Sequence, residues 1–165
     1  MYRVLWIEDG ATFEASAFPG PVFNSRRYDL VIALDISDAI RQLLQNEFDV
    51  VIVDIRMDPG DMNEWKDLYQ KAPKDSKSAR LGRSLLYSLF CPQEALIKLE
   101  KIPAWITPDR FGILTVESER ELEKDLIKWG IKYFVQKSAK VSASALLAFI
   151  DKMIQDRTST EQAGA

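Results

Sequence analysis

The sequence predicts an α/β fold in which helices cover both faces of a doubly wound parallel sheet. The apolar run Phe48–Asp54 (FDVVIVD) lies between turn residues, as is typical of a strand buried on both faces. Four other strand-like segments alternate with helical patterns along the chain, which is the order of elements in a parallel sheet. The five segments predict five parallel strands, and right-handed crossovers between them place helices on both faces of the sheet.

The strands are predicted from runs of β-branched, aromatic and other apolar residues. In chain order these runs are Tyr2–Ile7, Asp29–Leu34, Phe48–Asp54, Phe111–Val116 and Ile131–Gln136.

The first helices are predicted from apolar spacing and from proline and capping residues. Pro19-Gly20-Pro21 interrupts the region where the first helix is expected, which favours a short or displaced helix. Ser37 is predicted to cap the second helix. Within the hydrophilic region 58–80, apolar residues around Trp65 have helical spacing and indicate a short amphipathic helix.

Four helices are predicted in the second half of the chain. Leu81–Phe90 has an inward leucine face, and Pro92 is typical of the first residue of a helix that ends near Lys101. A capping-box pattern at Ser118 opens the next helix, and Gly130 ends it. Ser142 is predicted to start the last helix.

Composition limits the classes of function. The 165 residues include no histidine, which excludes Ser-His-Asp catalysis, HExxH zinc sites and a phosphohistidine role for this chain. The net charge of −3 gives no electrostatic case for binding nucleic acid or an anionic membrane. The single cysteine, Cys91, fits a cytoplasmic protein, because an internal disulfide needs two cysteines.

Five polar residues follow or end the predicted strands: Glu8, Asp9, Asp54, Thr115 and Lys137. The carboxyl ends of parallel strands meet at one edge of the sheet, where ligands bind in such folds. Three neighbouring carboxylates repel one another unless a cation neutralises them, and a hard divalent ion such as Mg²⁺ suits oxygen ligands. An aspartate can also accept a phosphoryl group covalently.

In these features the chain resembles the receiver domains of two-component response regulators. The resemblance rests on the acidic pair in VLWIEDG, the aspartate in DVVIVDIRM, the threonine in ILTVES and the lysine in GIKYFVQK. It covers nearly the whole chain and implies a flavodoxin-like strand order, 2-1-3-4-5. Relative to the family, 58–80 and about 92–108 are inserted or extended segments of a domain over 1–157. The polar residues 158–165 are expected to form a disordered tail.

The resemblance also implies a role for each site residue. Glu8, Asp9, Asp54 and the main-chain carbonyl of Arg56 would bind Mg²⁺. Asp54 would accept the phosphoryl group.

In the same family pattern, Thr115 and Lys137 would contact the phosphoryl group. Phe134 falls at the position of the family's switch aromatic, although simple core packing is the alternative.

Two departures from the family pattern lie next to these residues. Ser138 replaces the proline that usually follows the lysine in a cis peptide, so we expect a trans peptide and a different direction for Lys137. Val116 replaces a small residue and is expected to crowd the approach to Asp54.

The leading hypothesis is a phosphoacceptor receiver rather than a turnover enzyme, with at most Mg²⁺-dependent self-phosphorylation and dephosphorylation of Asp54. Its partners would be a histidine kinase or phosphotransfer protein and a downstream protein, with a homodimer as one option. The alternative is a receiver-like module with a vestigial pocket that acts by constitutive protein binding. A haloacid-dehalogenase-type phosphohydrolase is disfavoured because Arg56 stands where such enzymes need a second aspartate.

Overall fold

Five parallel strands form the centre of this computed structural model, which describes residues 1–10, 17–72, 80–138 and 140–165. The strands are β1 (Tyr2–Ile7), β2 (Tyr28–Ala33), β3 (Val50–Val53), β4 (Phe111–Thr115) and β5 (Tyr133–Gln136). The strand order is β2-β1-β3-β4-β5, and every neighbouring pair is parallel. The predicted fold class and strand order are therefore confirmed.

Helices cover both faces of the sheet, as predicted. The helices are α1 (Pro19–Ser25), α2 (Ile36–Gln45), α3 (Asn63–Lys71), α4 (Leu81–Phe90), α5 (Glu119–Trp129) and α6 (Ala145–Ala163). One core cluster packs α2, α4 and α5 against Leu5, Ile7, Val51 and Val53. A second cluster packs α1 and α6 against alternate residues of the same strands, because successive strand side chains point to opposite faces.

Local sequence patterns predicted the bounds of several helices correctly. Helix α4 has the predicted bounds, and the capping box of α5 joins Ser118 and Glu121 in both directions. Gly130 ends α5 with a φ of 73°, a conformation that glycine adopts without strain. The first helix is short, as expected from its prolines, while residues 11–16 of that region lie outside the described residues.

The helix predicted from Pro92 to Lys101 is wrong. The chain makes a turn in which the Glu94 amide donates to the carbonyl of Cys91, and this fully described stretch forms no helix before Pro108. The Ser88 hydroxyl on α4 donates to the carbonyl of Ile97, and Ile97 is buried. Tertiary contacts therefore hold this stretch in an irregular path despite its helical composition.

Two helix ends also differ from the prediction. Asp35, not Ser37, caps α2, because its carboxylate accepts a hydrogen bond from the Asp38 amide at 2.8 Å. The disorder predicted from Thr158 is wrong up to Ala163, since α6 continues through these residues. The Thr158 hydroxyl donates to the carbonyl of Ile154 at 3.0 Å within that helix.

The segment 58–80 contains the predicted short helix as α3. Trp65 on α3 is only 1% exposed and packs in the larger core cluster. The preceding loop is fixed to α2, because the Ser37 hydroxyl donates to the Pro59 carbonyl at 2.6 Å and accepts from the Met62 amide at 2.9 Å. Residues 73–79 of the segment lie outside the described residues. No helix among the described residues is long and apolar enough to span a membrane.

Candidate functional site

Lys137 joins two acidic residues at the carboxyl edge of the sheet. Its ammonium group donates to Glu8 Oε2 at 2.7 Å and to Asp54 Oδ2 at 2.9 Å. These residues come from the ends of β5, β1 and β3. We refer to Glu8, Asp54, Thr115 and Lys137 together as the Asp54 pocket.

Strand register brings these residues together. Val53 pairs with Ile7 on one side and with Ile113 on the other, so Asp54 lies between the ends of β1 and β4. The Asp54 amide continues the ladder by donating to the Ile7 carbonyl at 3.0 Å. The parallel sheet therefore assembles a site from residues that are distant in sequence.

The Asp54 pocket is almost completely buried. The exposed fraction is 1% for Glu8, 5% for Asp54, 0% for Thr115 and 6% for Lys137. The described peptide bonds are all trans, as expected for the bond before Ser138. The expected change in the direction of Lys137 is wrong, because its side chain reaches Asp54 in this turn.

Burial and neighbouring charges shift two pKa values in the pocket. Burial, followed by the nearby Asp54 carboxylate, raises the pKa of Glu8 to about 8. Burial by itself lowers the pKa of Lys137, but the Asp54 and Glu8 carboxylates outweigh it and hold this pKa above its usual value. The pocket therefore disfavours the charged form of Glu8 and favours the charged form of Lys137.

Two buried oxygens of the pocket lack a hydrogen-bond partner among the described residues: Thr115 Oγ1 and Glu8 Oε1. Leaving a buried polar atom unpaired typically costs about 1–3 kcal/mol. Unpaired polar groups in a buried site often mark the position of a missing ligand. Thr115 thus offers a free hydroxyl donor at the end of the strand beside Asp54.

Helix α4 begins directly against Asp54. The Gly82 amide donates to the Ile55 carbonyl at 2.9 Å, and a Cβ atom at Gly82 would overlap the main-chain carbonyl of Asp54. Only glycine permits this approach of the helix to the strand end. The position of Asp54 is therefore coupled to α4.

Two of the predicted Mg²⁺ ligands, Glu8 and Asp54, are paired with Lys137 in this arrangement. Lys137 lies between Glu8 and Asp54, and the described residues include no group of three acidic, cysteine or histidine side chains placed to hold a metal ion. Asp9 is half-buried and lies near other acids, since its carboxylate contributes to the raised pKa of Asp58. Lys137 is the counter-ion of both Glu8 and Asp54 in this arrangement.

The two remaining predicted residues lie close to the pocket. Phe134 is half-buried on β5, pairs with Ile113 and packs against the larger core cluster. Val116 is 37% exposed at the end of β4. The switch role of Phe134 and the crowding by Val116 remain predictions.

Sequence reasoning missed a second ionic group beside Asp54, formed by Glu117, Arg56 and Arg80. Glu117 is 5% exposed, and its Oε1 forms an ion pair with Arg80 Nη2 at 2.7 Å. The sequence signal for this ionic group is the acidic residue two positions after Thr115. Arg80 gives no such signal, because it is one of several cations in a hydrophilic segment.

Comparisons with known proteins identify the fold. No protein-family model matches the chain, and no curated protein matches it. Solved receiver domains do: one from Vibrio parahaemolyticus superposes with a TM-score of 0.59 at 16% identity, covering 99% of this chain and 98% of that one. A CheY-like receiver domain from Methanospirillum hungatei JF-1 gives 0.56 at 12% identity, with 96% and 98% covered. The non-phosphorylated HemR receiver domain from Leptospira biflexa gives 0.54 at 16% identity, with 93% and 94% covered.

These likenesses extend over nearly the whole of each chain. The molecule therefore has the fold of response-regulator receiver domains, as the sequence motifs predicted.

Proposed function

We propose that this chain is a phosphoacceptor receiver that takes a phosphoryl group on Asp54 from a phosphohistidine of a histidine kinase or phosphotransfer protein. The observation that carries the proposal is the unpaired, fully buried hydroxyl of Thr115 at the strand end beside Asp54. A phosphoryl group on Asp54 would supply the acceptor oxygen that this hydroxyl lacks. Lys137, already in contact with Asp54, would donate to another phosphoryl oxygen.

The reaction is a direct transfer between two side chains. A carboxylate oxygen of Asp54 forms a bond to phosphorus, and the bond from phosphorus to the donor's imidazole nitrogen breaks. The bonding electron pair stays on that nitrogen, which then takes a proton. Donors fixed in the buried pocket stabilise charge on the transferring oxygens with little reorganisation.

The output is a change in protein contacts. An aspartyl phosphate adds charge and acceptor oxygens beside Thr115 and Lys137, at the ends of β4 and β5. Rearrangement of these donors would alter the surface formed by α5, β5 and α6, which is where we place the downstream protein or a second copy of the chain. This function needs neither direct contact with nucleic acid nor a membrane.

Mg²⁺ binding by Glu8, Asp9, Asp54 and the Arg56 carbonyl remains a prediction of the family resemblance. In the arrangement described here it would require Lys137 to leave its position between Glu8 and Asp54. Thr115 and Lys137 are therefore the donors of this chain that would contact the phosphoryl group.

Intact-mass measurement after incubation with acetyl phosphate tests the proposal, in parallel samples with Mg²⁺ and with a chelator. We expect an adduct with the mass of one phosphoryl group in the wild type and none in Asp54→Asn. Asp49→Asn serves as the matched control, because it removes an ion-paired, half-buried carboxylate just before β3, at the opposite end of the strand from Asp54, and should still form the adduct.

Failure to form an adduct under either condition would contradict the proposal. If beryllofluoride, a mimic of the phosphoryl group, also had no effect on the protein, the two results would favour the alternative of a vestigial pocket with constitutive protein binding.

A further inference from the structure

Glu117 connects three segments that surround Asp54. Its carboxylate pairs with Arg80 through Nη2 at 2.7 Å and Nε at 3.2 Å, and Arg56 Nε lies 3.6 Å from Glu117 Oε2. Arg56 follows Asp54 by two residues, and its amide donates to Asp54 Oδ1 at 3.3 Å. Arg80 directly precedes α4, and Glu117 follows β4. We call these three side chains the Glu117 cluster.

The two arginines hold Glu117 differently. Arg80 makes two close contacts to the carboxylate, which is enough to compensate a buried acid. Arg56 Nε is buried, too far from Glu117 for a hydrogen bond, and has no hydrogen-bond acceptor among the described residues. Arg56 is thus an additional cation with a buried Nε–H donor that no acceptor among the described residues uses.

The charges of the neighbouring pocket explain what Arg56 could bind. Lys137 is already shared between Glu8 and Asp54. A phosphoryl group would bring additional negative charge to Asp54. The Glu117 cluster carries a net charge of one positive unit, from two guanidinium groups and one carboxylate, and guanidinium groups suit phosphoryl oxygens.

We propose that Glu117 is the resident anion of Arg56, and that a phosphoryl group on Asp54 replaces it as the acceptor for this guanidinium. Arg80 keeps Glu117 neutralised during the exchange. Arg56 and Glu117 are then positioning residues with opposite effects: Arg56 attracts the phosphoryl group, and Glu117 competes with it. This inference rests on the proposed phosphorylation of Asp54.

The test compares Arg56→Met with Glu117→Gln, which break the same ion pair from opposite sides. We expect Arg56→Met to slow adduct formation from acetyl phosphate about tenfold, the equivalent of one charge-assisted hydrogen bond. We expect Glu117→Gln to accelerate it severalfold at subsaturating donor, since Arg56 loses its competing anion. A purely structural ion pair would shift both rates in the same direction.

Initial rates over a range of acetyl phosphate concentrations, followed by intact mass, give the comparison, and melting curves show that each variant is folded. Asp49→Asn is the control and should keep the wild-type rate, because it breaks the ion pair with Arg157 at the opposite end of β3 instead. Rates that fall together in Arg56→Met and Glu117→Gln, or that both equal the wild type, would overturn the inference alone. A wild type that forms no adduct would overturn the proposed function and this inference with it.

Discussion

Two buried ionic groups in this molecule satisfy their carboxylates in different ways. Between α4 and α5, Asp125 accepts two hydrogen bonds from Arg83, both at 2.9 Å, and a third from the Tyr87 hydroxyl. In the Asp54 pocket, two carboxylates share the single ammonium group of Lys137. The single carboxylate of the first group accepts three hydrogen bonds, whereas the two carboxylates of the second group share one ammonium group.

The difference appears in the pKa values. Burial by itself raises the pKa of Asp125, but the hydrogen bonds from Arg83 and Tyr87 outweigh it and hold this pKa below its usual value. The pKa of Glu8 moves in the opposite direction, to about 8. A saturated ionic group stabilises the contact of two helices, whereas an unsaturated one at a strand end is characteristic of a functional site.

Replacing Lys137 should change the free energy of unfolding more than any other substitution in these two ionic groups. Lys137→Met leaves Asp54 and Glu8 buried without their counter-ion, and we expect a loss of about 3–5 kcal/mol in the free energy of unfolding. Urea titration measures it, with Lys132→Met at an exposed position as the control. A loss no greater than that of the control would show that the pocket carboxylates are not held by Lys137.

Asp125→Asn should destabilise the protein by about 2–3 kcal/mol at neutral pH, because charge-assisted bonds to Arg83 are lost. The pKa of Asp125 is lowered in the folded state, so its contribution is present above the ordinary value of 3.8 and is lost as the pH falls below it. The difference between wild type and variant in melting curves should therefore shrink below about pH 4. A difference that stayed constant with pH would mean that the charge of Asp125 is not what matters.

Asp54→Asn should have a smaller effect of the opposite sign. With one carboxylate removed, Lys137 pairs with Glu8 alone, and we expect a gain of roughly 1 kcal/mol in metal-free buffer from the loss of like-charge repulsion. Because the pKa of Glu8 is raised in the folded wild type, that fold loses stability as the pH rises from 4.5 through about 8. The advantage of the variant should grow over the same range, as melting curves at several pH values would show. A destabilised variant would mean that the Asp54 carboxylate is already satisfied, like that of Asp125.

Local sequence patterns determined the sheet, most helices and the identity of the pocket residues. The apolar run before Asp54 and the capping box at Ser118 depend on residues that are near one another in the chain, so their effect can be deduced from spacing alone. Because the carboxyl ends of parallel strands lie at one edge of the sheet, the strand ends also predict where Glu8, Thr115 and Lys137 meet.

Only the tertiary structure decided how these groups are paired. Lys137 neutralises Glu8 across 129 positions of sequence, and Arg80 reaches Glu117 across 37. The irregular path after Pro92 likewise follows from the hydrogen bond between Ser88 and the Ile97 carbonyl rather than from local helix preference. Hydrogen bonds and ion pairs depend on distances of about 3 Å between side chains, and those distances exist only once the whole sheet and its helices are packed.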